Sequence, residues 1–237
     1  MYTKKPEQTM ALKLFELVGA ESNRPFSPYC WRIRMALAHK GLEAELVPWR
    51  FIEKAAIEPS GQSKVPVLVH DGKWVSESWD IANYLEAQFP GRPSLFGGPQ
   101  GQALSRVYSN LGDVHAGQIV RFVLMDIYRH LDAANQAYFR DTREPRFGMT
   151  LEQVVLDRDA KLQGFRDSLG PLRNVLKVQP FFGGATPLYA DYAIFGQFQW
   201  ARAISDFELL AADDPVAHWR ARLLNAFNGM ALAAPAY

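Results

Sequence analysis

Ser27, Pro28, Tyr29 and Cys30 stand immediately ahead of Trp31-Arg-Ile-Arg-Met-Ala-Leu-Ala-His-Lys40, a run of helical character that stops at Gly41. Two side chains of nucleophile type thus lie three residues apart, and Cys30 is the only cysteine of the chain. Serine followed by proline reads as a helix N-cap with proline at the first helical position, where its missing N–H costs nothing. A helix N-terminus also attracts anions through its free N–H groups and its dipole. A hydroxyl there can therefore donate to a thiolate. A free thiol titrates near pH ~8.5, and lowering that by about two units takes roughly 2.7 kcal/mol. A charge-assisted hydrogen bond supplies about 1.5–3 kcal/mol and the helix end about 0.3–2 kcal/mol more. Both readings of Ser27, a cap alone and a cap that also activates a thiol, stand on the residues. Cys30 shares an apolar helix stripe with Ile33 and Leu37, so it reads as a small buried residue whose thiol is held protonated by its surroundings. The reacting thiol should then come from a ligand.

The elements that must hold this serine are legible around it. Leu12 to Val18 reads as a strand, Pro28 to Lys40 as a helix and Glu43 to Trp49 as a second strand. Val65–Val69 and Trp74–Ser76 are joined through Asp71-Gly72, a strong hairpin signal, and Ser78 to Phe89 follows as an amphipathic helix. This β-α-β, β-β-α unit is expected over residues 10–90. A Pro/Gly-rich stretch reads as a linker over 91–101. Beyond it the pattern is helical only: Gln102 to about Leu131, one helix from Leu151 to about Leu176, Pro187 to Ser205, and Pro215 to Phe227. Residues 102–237 are expected to form an all-α domain, which makes the fold class α+β.

Composition removes several classes of function. The 237 residues carry 26 basic and 25 acidic side chains, a net charge of +1, which leaves no electrostatic footprint for nucleic acid. No apolar run is long enough to span a membrane. The N-terminal stretch MYTKKPEQTM lacks the apolar centre of a secretory signal, so a reducing cytoplasm is expected. His39, His70, His115, His130 and His218 are scattered without ligand spacing, and a single cysteine argues against a thiolate metal site, so no metal is expected. Phosphate-loop, nucleophile-elbow and paired-histidine metal motifs are missing.

Ser27-Pro-Tyr-Cys30 opening a helix after the first strand, Lys64-Val-Pro-Val-Leu-Val69 opening a hairpin, and Glu77-Ser78 opening the next helix together resemble the glutathione S-transferases. The resemblance covers residues 12–230 and implies a thioredoxin-like first domain followed by a helical one. Ser27-Pro28-Tyr29-Cys30 also looks like a glutaredoxin motif in which serine replaces the first cysteine, a departure that argues against thiol–disulfide reduction. Within the family, SPYCWRIRMALAHKGL, Phe181-Phe-Gly-Gly-Ala-Thr-Pro-Leu-Tyr-Ala-Asp-Tyr192 and Asp213-Asp-Pro-Val-Ala-His-Trp219 are most similar to the serine-type bacterial β-etherases and their fungal relatives, which use glutathione to cleave aryl ethers.

The resemblance implies roles residue by residue. Ser27 would hydrogen-bond the glutathione sulfur. Val65, before a cis Pro66, would pair its backbone with the tripeptide's cysteine. Glu77 and Ser78 would hold the γ-glutamyl ammonium and carboxylate, and Lys54 and Lys64 the glycine carboxylate. Leu188 stands where the family often has Ser or Thr three residues before the aspartate matching Asp191, so that cap is lost. Arg50-Phe-Ile-Glu53 departs from the family patterns. The electrophile, a small hydrophobic or aromatic molecule, would lie between the domains; Trp31, Tyr108, Phe122 and Tyr138 are aromatic candidates, each read more readily as core and so not counted among the site residues. The implied protein is a cytoplasmic homodimer acting in detoxification with glutathione as co-substrate. A glutathione-dependent reductase or peroxidase, and a non-catalytic module of the same fold, are the alternatives.

Overall fold

The computed structural model describes residues 12–237. The polar start of the chain and the expected boundary at residue 10 lie outside the described residues. The first strand, β1 (Leu12–Leu17), buries Leu12 and Leu14 and exposes Lys13, whose ammonium pairs with Glu45 on the next strand at 2.8 Å. That strand, β2 (Glu45–Trp49), runs parallel to β1, with Leu14 opposite Leu46. A parallel neighbour requires a crossover, and α1 (Pro28–His39) makes it. On the other side of β1 lies β3 (Val67–His70), antiparallel, followed by β4 (Lys73–Ser76). The order is β2-β1-β3-β4. Asp71 and Gly72, with φ of 49° and 81°, form the tight turn that their sequence announces. Next comes α2 (Ser78–Gln88), packed on the hairpin and α1. This mixed sheet with its two helices is a thioredoxin-like unit. Between β2 and β3 a short 3₁₀ segment, Lys54–Ser60, ends at left-handed Gly61.

A helical domain follows. Its first helix, α3 (Pro99–Arg129), starts three residues before the periodicity suggests, because Pro99 fits the first turn and Gly98 takes φ 112°, open to glycine. A helix not expected from the sequence, α4 (Ala133–Phe147), comes next: Asp132 caps it by accepting from the Asn135 N–H at 3.0 Å, and Gly148 ends it. The single helix expected over Leu151–Leu176 is three, α5 (Leu151–Val155), α6 (Arg158–Ser168) and α7 (Gly170–Leu176). Pro171 cannot donate to an i−4 carbonyl and so begins a new helix, while Asp157 (φ −109°, ψ 30°) breaks the earlier turn. The next, α8 (Tyr189–Ile204), is buried along nearly its whole length, and α9 (Pro215–Ala233) is interrupted by left-handed Phe227–Gly229.

The centre of the molecule is α8, which packs against α1 of the first domain and α3 of the second. Glycines set these approaches. A Cβ on Gly196 would meet the Pro28 carbonyl oxygen at 2.3 Å, and one on Gly112 of α3 would meet the Ala193 carbonyl oxygen at 2.7 Å. Leu188 cannot cap α8, and Asp191 takes over. It accepts from the N–H groups of Phe182 (2.7 Å), Gly183 (2.9 Å) and Leu188 (3.0 Å) and from the Trp219 indole (2.9 Å).

Candidate active site

Ser27 is positioned by both of its neighbours. The Phe26 N–H bonds the Leu17 carbonyl at the end of β1, at 3.1 Å, and Ser27 then caps α1, its Oγ accepting from the Cys30 N–H at 3.3 Å. The cap uses an oxygen lone pair, so the hydroxyl hydrogen remains available to donate. The Tyr29 N–H, at the second helical position, has no i−4 carbonyl within the helix and is a further donor of the same terminus. Cys30 is fully buried. Burial pushes its thiol up to about 12 against the opposing Ser27 contact, so it stays protonated at physiological pH.

Ser27 lies on the wall of a cavity of about 560 Å³ between the domains. From the first domain, Lys54, Lys64 and Val65 also line it; from the second, Asp113, Val120 and Arg121 of α3 and Tyr138, Arg143 and Arg146 of α4. Lys54 donates to the Ser63 carbonyl at 2.6 Å and lies 4.8 Å from the Trp49 ring and 5.2 Å from the Tyr138 ring. Lys64 is exposed and Val65 half-buried. The Val65–Pro66 peptide is cis, and Pro66 itself is buried behind the wall.

Glu77 and Ser78 line a second cavity of about 290 Å³, together with Arg32, Trp79, Asp80, Arg106, Ser109 and Asn110. Tyr29 and Asp113 line both cavities, so the two adjoin across these side chains. Glu77 holds φ 67° and ψ 126°, a strained conformation for a residue with a Cβ. It is fixed from both sides. The Ile81 N–H bonds the Glu77 carbonyl at 2.9 Å, and the buried Tyr189 hydroxyl of α8 donates to the Ser78 carbonyl, also at 2.9 Å. Arg32, 2% exposed, pairs with Asp113 at 2.8 Å and stacks 4.7 Å over the Tyr29 ring. Burial and the Asp113 charge raise the Tyr29 phenol above its ordinary range, with Arg32 and Arg146 acting against them.

The expected site residues therefore fall into two adjoining groups, Ser27, Lys54, Lys64 and Val65 in one and Glu77 and Ser78 in the other, with Pro66 supporting the first. Sequence reasoning missed the residues between them. Arg106, Ser109, Asn110 and Asp113 repeat at helical spacing on α3, a polar face that was readable; the Arg32–Asp113 pair, across 81 positions, was not. Of the aromatic candidates, Tyr138 lines the large cavity. Trp31 and Phe122 are core, and Tyr108 stacks 4.8 Å from Phe182. Among the described residues, no group of three or more His, Cys, Asp or Glu is placed to hold a metal, and no helix is long and apolar enough to cross a membrane.

Two family models match the chain: the N-terminal glutathione S-transferase domain over residues 22–93 and the C-terminal one over residues 103–225. A glutathione transferase of Zea mays is 28% identical over 211 residues, covering 87% of this chain and 82% of its own. A probable glutathione S-transferase of Oryza sativa subsp. indica is 42% identical over 150 residues, 61% of either chain. In fold, the chain is similar to a glutathione S-transferase of Ceriporiopsis subvermispora, solved in complex with glutathione. The TM-score is 0.78 at 21% identity, over 92% of this chain and 96% of that one.

Proposed function

The chain belongs to the glutathione S-transferase family, and from that premise we propose that it binds glutathione across the two adjoining cavities and uses Ser27 to hold the sulfur as a thiolate for attack on an aromatic electrophile. The observation that carries this reading is Ser27 itself. It is a capping hydroxyl that accepts from the Cys30 N–H and keeps a hydrogen to donate, on the wall of an interdomain cavity, beside a second cavity of mixed charge.

The residues suit a tripeptide with one ammonium and two carboxylates. In the smaller cavity Glu77 and Asp113 face the ammonium, while the Ser78 hydroxyl, the first N–H groups of α2 and Arg106 face the γ-glutamyl carboxylate. The Val65 backbone pairs with the cysteine residue, and Lys54 and Lys64 meet the glycine carboxylate. Ser27 and the Tyr29 N–H then converge on the sulfur. Donation to the thiolate favours the charged form and lowers the thiol pKa. The sulfur forms a bond to the electrophilic carbon, and the leaving group departs with its electron pair.

β-Aryl ether cleavage is the finer form of this proposal. Its supports are the serine-type motif and the aromatic walls, Trp49, Phe51, Tyr138, Phe139 and Trp200. There the leaving group is a phenolate. Reduction through a protein mixed disulfide is disfavoured by the buried, protonated Cys30. The same reading implies a cytoplasmic homodimer that removes reactive aromatics.

The test is retention on immobilised glutathione followed by conjugation of 1-chloro-2,4-dinitrobenzene. Retention with conjugation is expected. Retention without conjugation leaves a binding module, and failure of both sinks the proposal. A model β-aryl ether, assayed separately, decides the etherase form.

A further inference from the structure

Around the large cavity the cations outnumber their partners. Its second-domain wall carries Arg121 from α3 and Arg143 and Arg146 from α4. None of the three makes an ion pair among the described residues. Arg140, on the same helix, shows the ordinary alternative, since it is bound by Glu144 and, at 2.7 Å, by Glu152. The one carboxylate lining the cavity, Asp113, is taken by Arg32 at 2.8 Å. Arg143 is half-buried, its Cζ 5.1 Å from the centre of the Phe51 ring and 4.9 Å from that of Phe139, and it donates to the Thr142 hydroxyl at 2.8 Å. Burial pulls its pKa down; the Tyr138 hydroxyl acts against this, and the neighbouring Arg146 charge adds to it. A desolvated guanidinium with aromatic faces on one side and no carboxylate on the other is an incomplete interaction.

We propose that the electrophile accepted by this cavity is an aromatic acid, its ring against Phe51, Tyr138 and Phe139 and its anionic group on Arg143 and Arg146. Arg121, exposed at the rim and 5.7 Å from the Phe147 ring, adds positive potential at the entrance. This assignment rests on the transferase reading above and names its second substrate. Guanidinium groups suit a carboxylate by geometry as well as by charge. With Lys54 and Lys64 on the first-domain wall to meet its glycine carboxylate, glutathione supplies anionic groups at its own end and leaves the α4 arginines for the second molecule. The mixed-charge cavity at Glu77 offers no such excess.

A matched pair of probes tests it. In 4-chloro-3,5-dinitrobenzoate the thiolate attacks the carbon bearing chlorine, a C–S bond forms, and chloride leaves with the C–Cl electron pair; its methyl ester reacts identically without the negative charge. With each rate normalised to the uncatalysed reaction, kcat/KM should favour the acid by roughly tenfold, the advantage of one good charged contact. The preference should shrink as ionic strength rises. In Arg143→Met/Arg146→Met the acid should lose far more than the ester. Equal losses, or preference for the ester in the wild type, overturn the proposal, as does a parallel loss of glutathione affinity, which would assign the arginines to the tripeptide. Binding of 3,5-dinitrobenzoate and its methyl ester, followed by quenching of Trp49 and Trp200, needs no chemistry. Acid-selective quenching without turnover would keep the anion site and remove the transferase reading; ester-selective quenching would remove the anion site.

Discussion

Loss of a capping serine and loss of an activating serine have different consequences. If Ser27 serves as a cap only, Ser27→Ala costs about 0.5–2 kcal/mol of stability and nothing else. Because Ser27 lines the cavity and its hydroxyl can donate while it accepts from the Cys30 N–H, the pKa of bound glutathione should also rise by roughly one to two units, each unit being about 1.36 kcal/mol. The sign comes from the thiolate being the form that loses a donor. Thiolate absorbance against pH, for wild type and variant, checks this, and superimposable titrations would reduce Ser27 to a cap. Cys30→Ala should leave turnover and glutathione affinity near wild type, because the thiol is buried and protonated. Steady-state kinetics decide it, and full inactivation would contradict the geometry. A third residue speaks through stability alone. Glu16, on β1, is 3% exposed and 2.9 Å from Arg34, and burial, opposed by that arginine, raises its carboxyl from 4.5 to about 7. Between those values the folded chain holds a proton that the unfolded chain has released. This contribution therefore falls as pH rises from about 4.5 to 7, by about 3 kcal/mol, and is flat above. Denaturant unfolding of wild type and Glu16→Gln should show their stability difference declining over that window. A constant difference would mean that Glu16 stays ionised beside Arg34 throughout.

At the scale of elements, the site is held by α8, which packs against α1 and α3 and contributes Trp200 to the cavity wall. Gly196 lets α1 approach until the Pro28 carbonyl lies where a Cβ would be, 2.3 Å away. Since that oxygen belongs to the backbone one residue after Ser27, Gly196→Ala must push the helix start aside. Overpacking of this kind costs about 1–3 kcal/mol. The variant should melt at a lower temperature and lose kcat per folded molecule, because Ser27 moves with the helix. An unchanged melting curve with unchanged kcat would show that α1 relaxes freely. What could be read at this scale came from local signals. Asp71-Gly72, Ser27-Pro28 and the Ser78 start each declare an element within a few residues. Helix α4 was missed because its sequence, AANQAYFRDTREPRF, is polar and buries only Asn135 and Phe139. Its order comes from the Asp132 cap, Gly148 and packing on α3. The cavity's cationic wall was illegible for the same reason, since Arg143 and Arg146 sit on that unread helix. The Tyr189–Ser78 bond spans 111 positions, and no local pattern carries it.

At the scale of the whole molecule, we propose the division into residues 10–90 and 102–237, joined by the stretch 91–101 whose last three residues form the first turn of α3, and association of two such chains. The protomer leaves an apolar stripe on α3: Leu104, Val107 and Val114 are 44%, 62% and 59% exposed, with half-buried Leu111 between them. Spacings of three, four and three residues put these side chains on one helix face. The face buried in the protomer is another, formed by Ser105, Ser109, Gly112, His115 and Ile119. A two-fold contact through the stripe would cover it with its own copy, which is the commonest way such a surface is satisfied. Charge should break it. Val107→Asp/Val114→Asp alters residues that are already exposed, so the protomer should fold with a near-native melting temperature. Sedimentation velocity should then find monomers where the wild type runs as a dimer. The stripe borders Arg106, Asn110 and Asp113, which line the smaller cavity. Monomers should therefore also bind glutathione more weakly, by a few-fold, as that wall loses its support. A wild type that sediments as a monomer at every concentration would remove the dimer. A variant that stays dimeric would move the contact to another face.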